Sequence, residues 1–121
     1  MQDASKQKPY DLEERTFLFA KEVRRFVRRI PEHACNWEDG RQLVRSSGSV
    51  GANYLEANDG ISKKDFLLRI RISRKEAKES RYWLRLIDPG DSPELIQKRT
   101  DLIQEAQELM NILGAILQKS Q

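Results

Sequence analysis

The chain is poor in the residues that form disulfides, metal centres and membrane anchors. Its 121 residues include one cysteine and one histidine, so an intrachain disulfide is excluded and few sets of metal ligands are available. No run approaches the roughly 18 apolar residues of a membrane-spanning helix, and residues 1–6 lack the apolar segment of a signal peptide. We therefore expect a cytoplasmic protein with no membrane partner.

Residues that interrupt helices are also scarce. The chain has four prolines and six glycines, and its hydrophobic and charged fractions of 38% and 34% are typical of amphipathic helices. A chain of this length is sufficient for one compact domain and too short for two domains with separate cores. We predict an all-α protein with a flexible leader over residues 1–10 and a single domain over residues 11–119.

Apolar spacing and turn residues predict an antiparallel up-down four-helix bundle. Helix 1 is expected to span Asp11–Ile30, because Pro31 disfavours helical geometry at the residue before it. Helix 2 is expected to span Asn36–Asn58, with Asn36 as its N-cap. Glycine is unfavourable inside a helix, so the small residues and two glycines of Ser46–Ala52 predict that another helix passes close by.

Helices 3 and 4 have clear start signals. Ser62 is predicted to cap helix 3, and Ser92 to cap helix 4 with Pro93 in the first helical position. The turn Asp88–Asp91 separates the two helices. Helix 3 has a core-facing seam at three- and four-residue spacing, formed by Phe66, Ile70, Ser73, Ala77, Ser80, Leu84 and Ile87.

Helix 3 has two further faces outside this seam. One carries five cations at helical spacing with no acid among them, and we call it the basic stripe: Arg71, Arg74, Lys78, Arg81 and Arg85. Four apolar residues lie outside the seam and predict a subunit interface in a homo-oligomer: Leu68, Ile72, Trp83 and Leu86. A monomeric bundle needs only one buried face on each helix.

The net charge of +3 is concentrated locally, because residues 61–85 contain nine lysines or arginines against three acids. Like charges at three- and four-residue spacing repel one another, so an opposite charge should offset the basic stripe. One hypothesis is neutralisation by acids of neighbouring helices, namely Glu56, Asp59, Asp101, Glu105 and Glu108. The other is binding of nucleic-acid phosphates, with Arg24, Arg25 and Arg28 of helix 1 joining the stripe.

The sequence offers no complete set of catalytic or metal-ligating residues. Di-iron sites in helical bundles need Glu-x-x-His pairs on two helices, and a structural zinc needs four ligands where His33 and Cys35 supply two. Glu76 and Glu79 have no base, nucleophile or metal placed beside them, so structural ion pairing is the favoured interpretation. We expect a protein that is not an enzyme and that has no metal and no cofactor.

Several short motifs resemble a family of four-helix-bundle proteins encoded in intervening sequences of bacterial 23S ribosomal RNA genes, and the related accessory proteins of diversity-generating retroelements. The motifs that carry the resemblance are Arg45–Ser47, Ser49–Tyr54, Glu56–Ala57, Ser62–Phe66, Glu76–Ala77, Tyr82–Leu84, Glu108–Leu109 and Ile112–Leu113. Many family members read Asn-Ile-Ala-Glu-Gly where this chain reads Asn-Tyr-Leu-Glu-Ala at residues 53–57, which indicates a branch of the family.

The resemblance implies a ring-shaped homo-oligomer, with a pentamer as the expected number, and a reverse transcriptase as one class of partner. Together with the basic stripe, it predicts an oligomer that binds RNA or DNA, or a protein associated with nucleic acid. Because Trp83 lies away from the stripe, recognition by charge and shape is expected instead of base stacking. The alternative function is a protein-interaction scaffold that does not bind nucleic acid.

Overall fold

Four α-helices account for most of the structure, a computed structural model that describes residues 9–120 and the side chains of residues 12–120. Helix α1 spans Pro9–Val27, α2 Ala34–Asn58, α3 Lys63–Leu86 and α4 Pro93–Ser120. Over this described range the chain contains no strand, and the prediction of an all-α fold is confirmed. Residues 1–8 of the predicted leader lie outside the described residues, whereas Pro9 and Tyr10 begin α1.

The helices pack in chain order around one core. Each helix packs beside the next one along the chain, α4 returns to pack beside α1, and the backbones of α1 and α3 do not approach each other within residues 9–120. Short connections between consecutive packed helices produce antiparallel neighbours. The fold is the predicted up-down four-helix bundle, with α1 and α3 on one diagonal.

The core follows the predicted seams. Every residue of the helix 3 seam is buried except Phe66, which is half-buried and packs against the core. The predicted seam of helix 1 is buried throughout: Leu12, Thr16, Phe19, Val23, Phe26 and Ile30. Burial of one stripe on each helix removes apolar surface from water, which is the main favourable contribution to such a fold.

Small residues bring α2 very close to both of its neighbours, as predicted. A Cβ atom added to Gly51 would lie 2.9 Å from Thr16 Oγ1 and 3.2 Å from Thr16 Cβ in α1. Toward α3, the buried hydroxyls of Ser46 and Ser80 are 2.8 Å apart, and Ser73 Oγ donates to the Val50 carbonyl oxygen (2.7 Å). The small side chains therefore allow close packing while every buried hydroxyl keeps a partner.

The helix ends confirm two predicted caps and correct one. Ser62 Oγ accepts from the Asp65 amide (3.1 Å), and Ser92 Oγ accepts from the Leu95 amide (3.3 Å). The prediction of Asn36 as the N-cap of helix 2 is wrong, because α2 begins at Ala34 and is capped by His33, whose Nδ1 accepts from the Asn36 amide (3.3 Å).

Asn36 instead ties two connections together at one end of the bundle. Its side-chain amide donates to the carbonyl oxygens of Pro31 (3.0 Å) and Asp88 (2.8 Å), and its Oδ1 accepts from the Asp88 amide (3.0 Å). The residue is buried, so these bonds satisfy polar groups that have no access to water. Helix α1 also ends earlier than expected, at Val27, although Ile30 beyond it remains in the core.

Candidate nucleic-acid interface

The two flanks of α3 face different neighbours. The flank with Glu76 and Glu79 faces α2, where Arg45 contacts both carboxylates. The flank with the basic stripe faces α4, because Arg74 donates from Nε to the Met110 carbonyl oxygen (3.3 Å). Glu76 and Glu79 are thereby separated from the basic stripe, which lies on a different edge of the bundle.

The edge between α2 and α3 is a network of ion pairs. Arg45 Nη1 lies 3.3 Å from Glu76 Oε1, its Nη2 pairs with Glu79, and Trp83 Nε1 donates to Glu79 Oε2 (3.0 Å). Burial acts to raise the pKa of Glu79, but the hydrogen bonds from Trp83 and Arg45 outweigh it and lower the pKa. Trp83 is half-buried and packs against the core. These acids therefore serve α2–α3 packing and do not face the basic stripe.

The edge between α1 and α4 is also neutralised. Arg15 Nε lies 2.7 Å from Glu105 Oε2, and Arg15 Nη2 lies 2.7 Å from Glu108 Oε1. The hydrogen bond to Glu105 is the largest contribution raising the pKa of Arg15, and hydrogen bonds from Gln104 and then Arg15 lower the pKa of Glu108. Lys98 Nζ and Glu22 Oε1 form a further pair at 2.9 Å.

The acids considered as partners of the basic stripe lie elsewhere. Glu105 and Glu108 face α1, Asp101 accepts from Gln97 on its own helix (2.9 Å), and Glu56 and Asp59 are exposed. Among side chains 12–120, no cation of the stripe forms an ion pair with a carboxylate. The charge of the stripe is thus not neutralised within the described part of the chain.

The α4 side of the stripe carries amides in place of acids. Arg81 Nη1 donates to Gln107 Oε1, and Gln107 Nε2 donates to Asn111 Oδ1 (3.0 Å). Nearer the end of α4 a hollow of about 700 Å³ opens between the helices, lined by Arg74, Met110, Asn111, Gly114, Ala115, Leu117, Gln118 and Lys119. This edge presents guanidinium, ammonium and amide groups to solvent, which are donors suited to phosphate oxygens.

The cations predicted on helix 1 occupy separate places. Arg24 crosses to α2 and donates to the carbonyl oxygens of Ala20 (3.0 Å) and Val44 (3.3 Å), whereas Arg25 pairs with Glu22 of its own helix. Arg28 is exposed. Because α1 and α3 lie on a diagonal, one chain does not join these cations and the basic stripe into a single surface.

The residues predicted for a subunit interface divide into two pairs. Leu68 and Leu86 are 52% and 51% exposed, while Ile72 and Trp83 are half-buried. Tyr82 is 54% exposed and contacts Trp83 edge-to-face, with ring centroids 5.1 Å apart. The outward side of α3 therefore presents large apolar side chains beside the basic stripe.

A second apolar surface lies along the edge between α1 and α2. Two hollows of about 440 and 470 Å³ follow this edge. Their linings include Trp37, Phe17 and Leu55, which are 69%, 57% and 49% exposed. We call this surface the apolar groove. Exposed large apolar residues that share one groove are typical of protein contacts.

The described residues offer no metal centre and no membrane segment. No group of three or more His, Cys, Asp or Glu side chains among them is placed to hold a metal ion. His33 Nε2 lies 3.3 Å from Asp88 Oδ2 while its other ring nitrogen caps α2, and Cys35 is exposed. None of the four helices, over its described residues, is long and apolar enough to cross a membrane.

Sequence reasoning located the basic stripe but missed the α4 side of this edge. Asn111, Gly114 and Gln118 are uncharged and carry no motif, so neither charge nor motif marks them as a site. The available signal was the helical spacing of Gln107, Asn111, Gly114 and Gln118, which places them on one face of α4.

The fold and this edge define a class of small helical bundles with a one-sided basic surface. The chain belongs to the family described as 23S rRNA-intervening sequence protein, whose model matches residues 9–115. It is similar to the crystal structure of a protein of unknown function from the S23 ribosomal protein family of Bacteroides thetaiotaomicron, with a TM-score of 0.75 and 23% sequence identity. That similarity covers 91% of this chain and 97% of the other. No curated protein matches the chain.

Proposed function

We propose that this protein is a non-enzymatic, cytoplasmic, oligomeric bundle that binds the backbone of RNA or DNA through the basic stripe of α3. The observation that carries the proposal is the absence of any carboxylate partner for all five cations of the stripe among side chains 12–120, whereas Arg15, Arg29 and Arg45 on other edges each pair with one. Repulsion among exposed like charges is offset when phosphates bind and their counterions are released.

Self-association is the second part of the proposal. The exposed apolar side of α3 supports contact between copies, and a ring-shaped homo-oligomer, with a pentamer as the expected number, is what the family resemblance adds. A ring would repeat the basic stripe around the assembly. Several weak stripes that engage one long nucleic acid give a much higher avidity than one stripe alone.

A protein associated with nucleic acid, such as a reverse transcriptase, is the class of additional partner that the retroelement resemblance suggests. The apolar groove offers a surface for such a partner, since Trp37 and Phe17 are exposed there. The same groove favours the alternative function, a protein scaffold with no nucleic-acid binding.

Fluorescence anisotropy with a labelled RNA hairpin at several salt concentrations tests the proposal. We expect wild-type binding to weaken steeply as salt rises, because each phosphate contact releases a counterion. Replacing Arg74, Lys78 and Arg81 together by Gln should weaken binding. The slope of the logarithm of the binding constant against the logarithm of the salt concentration should become shallower by about 2–3, while the unfolding midpoint changes little.

A matched control replaces three exposed cations outside the stripe, Lys21, Arg41 and Lys64, by Gln. It changes the net charge by the same amount and should retain most of the binding. If the wild-type protein binds neither RNA nor DNA at low salt, the scaffold function replaces the proposal.

A further inference from the structure

The side chain of Arg74 packs against α4 beside Gly114. Its Nε donates to the Met110 carbonyl oxygen (3.3 Å), and a Cβ atom added to Gly114 would lie 3.2 Å from that Nε and 3.7 Å from Cζ. Gly114 has no positive φ, so the backbone conformation does not require a glycine there. A glycine inside a helix costs about 1 kcal/mol relative to alanine. The absence of a side chain at Gly114 permits the close approach of Arg74.

The anchoring leaves the end of the guanidinium available. Among the described residues, the terminal nitrogens of Arg74 have no hydrogen-bond partner, and the residue is exposed at the wall of the hollow between α3 and α4. An arginine held by its Nε loses little further side-chain freedom when its other two nitrogens bind a ligand. The two free nitrogens form the fork that matches two oxygens of a phosphate.

The rest of the hollow agrees with an anionic, sugar-bearing ligand. Its polar lining besides Arg74 consists of Asn111, Gln118 and Lys119, with no carboxylate among the lining residues. Amides donate to phosphate oxygens and exchange hydrogen bonds with sugar hydroxyls. The lining also has no aromatic side chain on which an unstacked base would lie.

We propose that this hollow is a backbone subsite for nucleic acid, in which Arg74, positioned by Gly114, binds a phosphate and the amides of Asn111 and Gln118 contact the adjoining backbone without reading the sequence. The inference rests on the proposed function and deepens it, because it assigns the contact to the α3–α4 edge and to two residues of α4. Gly114 is a positioning residue, since it acts only through Arg74.

The first test displaces Arg74 without changing any charge. Gly114→Leu should weaken binding of a labelled RNA hairpin several-fold while leaving the unfolding midpoint unchanged or higher, because leucine favours the helix. Gly48→Leu is the matched control, since a Cβ at Gly48 would meet Arg24 Nη2 at 3.2 Å in the same way on the α1–α2 edge. Binding by the control should stay close to that of the wild type.

The second test adds charge without changing shape. The double variant Asn111→Asp and Gln118→Glu is nearly isosteric and should weaken binding by about tenfold through repulsion of the phosphates. Two hairpins of unrelated sequence should bind the wild type equally well, because no base edge is read. A clear preference for one of them overturns the assignment to the backbone.

The outcomes separate the two proposals. If the wild-type protein binds RNA with steep salt dependence but both the Gly114 variant and the acidic double variant bind equally well, the subsite is wrong and binding occurs on another surface. If the wild type binds no hairpin at low salt, the subsite and the proposed function both fail.

Discussion

At the scale of single residues, Gly48 and Gly51 of α2 both face α1 but meet different parts of it. A Cβ at Gly51 would lie 3.2 Å from Thr16 Cβ and 3.6 Å from its carbonyl carbon, groups that move only if α1 moves. The nearest atoms to a Cβ at Gly48 would be those of the Arg24 guanidinium, at 3.2 Å and beyond, which is the far end of a flexible side chain. The two positions should therefore respond oppositely to the same substitution.

Gly51→Ala should lower the free energy of unfolding by about 1–3 kcal/mol, because the added methyl forces α1 and α2 apart. Gly48→Ala should leave it unchanged or raise it by up to about 1 kcal/mol, because alanine favours the helix. Urea unfolding followed by circular dichroism measures both. A Gly51→Ala variant that is as stable as the wild type would contradict the close approach of α1 to α2 at Thr16.

Asn36 illustrates which residues escape prediction from the sequence. An asparagine immediately before a helical run is a good N-cap candidate, and the local sequence around Asn36 favours that role. Its actual partners are backbone groups of Pro31 and Asp88, and Asp88 is 52 residues away in the chain. A role that depends on a distant connection has no local signal.

At the scale of single elements, α3 shows what the periodic spacing of residues predicts and what it does not. The three- and four-residue spacing predicted its buried seam from Ile70 to Ile87 and placed the cations on one flank. Periodicity does not say which neighbour a flank faces, because that depends on how helices pack in space. Neutralisation of the stripe by Glu105 and Glu108 is therefore a wrong prediction, because both acids face α1.

The outward side of α3 yields a prediction about assembly. Leu68→Glu and Leu86→Glu should each lower the mass measured by light scattering while helicity is retained, because an unpaired charge opposes burial at a subunit contact. Ile96→Glu, at an apolar position of α4 that is 43% exposed, is the control and should leave the mass unchanged. A wild-type protein that is monomeric at high micromolar concentration would rule out this interface.

At the scale of the whole molecule, charge is distributed by edge. Carboxylates neutralise arginines between α2 and α3 and between α1 and α4, whereas Arg24 and Arg74 donate to backbone carbonyl oxygens on the other two edges. The small net charge of +3 therefore does not reflect how unevenly charge is distributed over the surface. One of the two edges without ion pairs is apolar and the other is polar, so the proposed protein-binding and phosphate-binding surfaces lie on different edges.

The neutralised edges predict the pH dependence of stability. The pKa values of Glu22 and Glu108 are lowered from 4.5, mainly by hydrogen bonds from Lys98 and from Gln104 respectively. The unfolded chain therefore binds more protons than the folded one as the pH falls. The contribution of these carboxylates to the free energy of unfolding is present above their ordinary pKa and is lost as the pH falls through the lowered pKa. The thermal midpoint should fall as the pH is lowered through this range, and Arg15→Gln should make the fall shallower. A midpoint independent of pH would contradict the ion-pair assignment.

The measurement that tests the central claim most directly is photo-crosslinking of the wild-type protein to an RNA hairpin that contains 4-thiouridine, followed by mass spectrometry of the crosslinked peptides. We predict crosslinks at low salt in α3 between Arg71 and Arg85 and in α4 between Gln107 and Lys119, with loss of the crosslinks as salt rises. Crosslinks confined to α1 and α2, or none at low salt, would contradict the assignment of nucleic-acid binding to the α3–α4 edge.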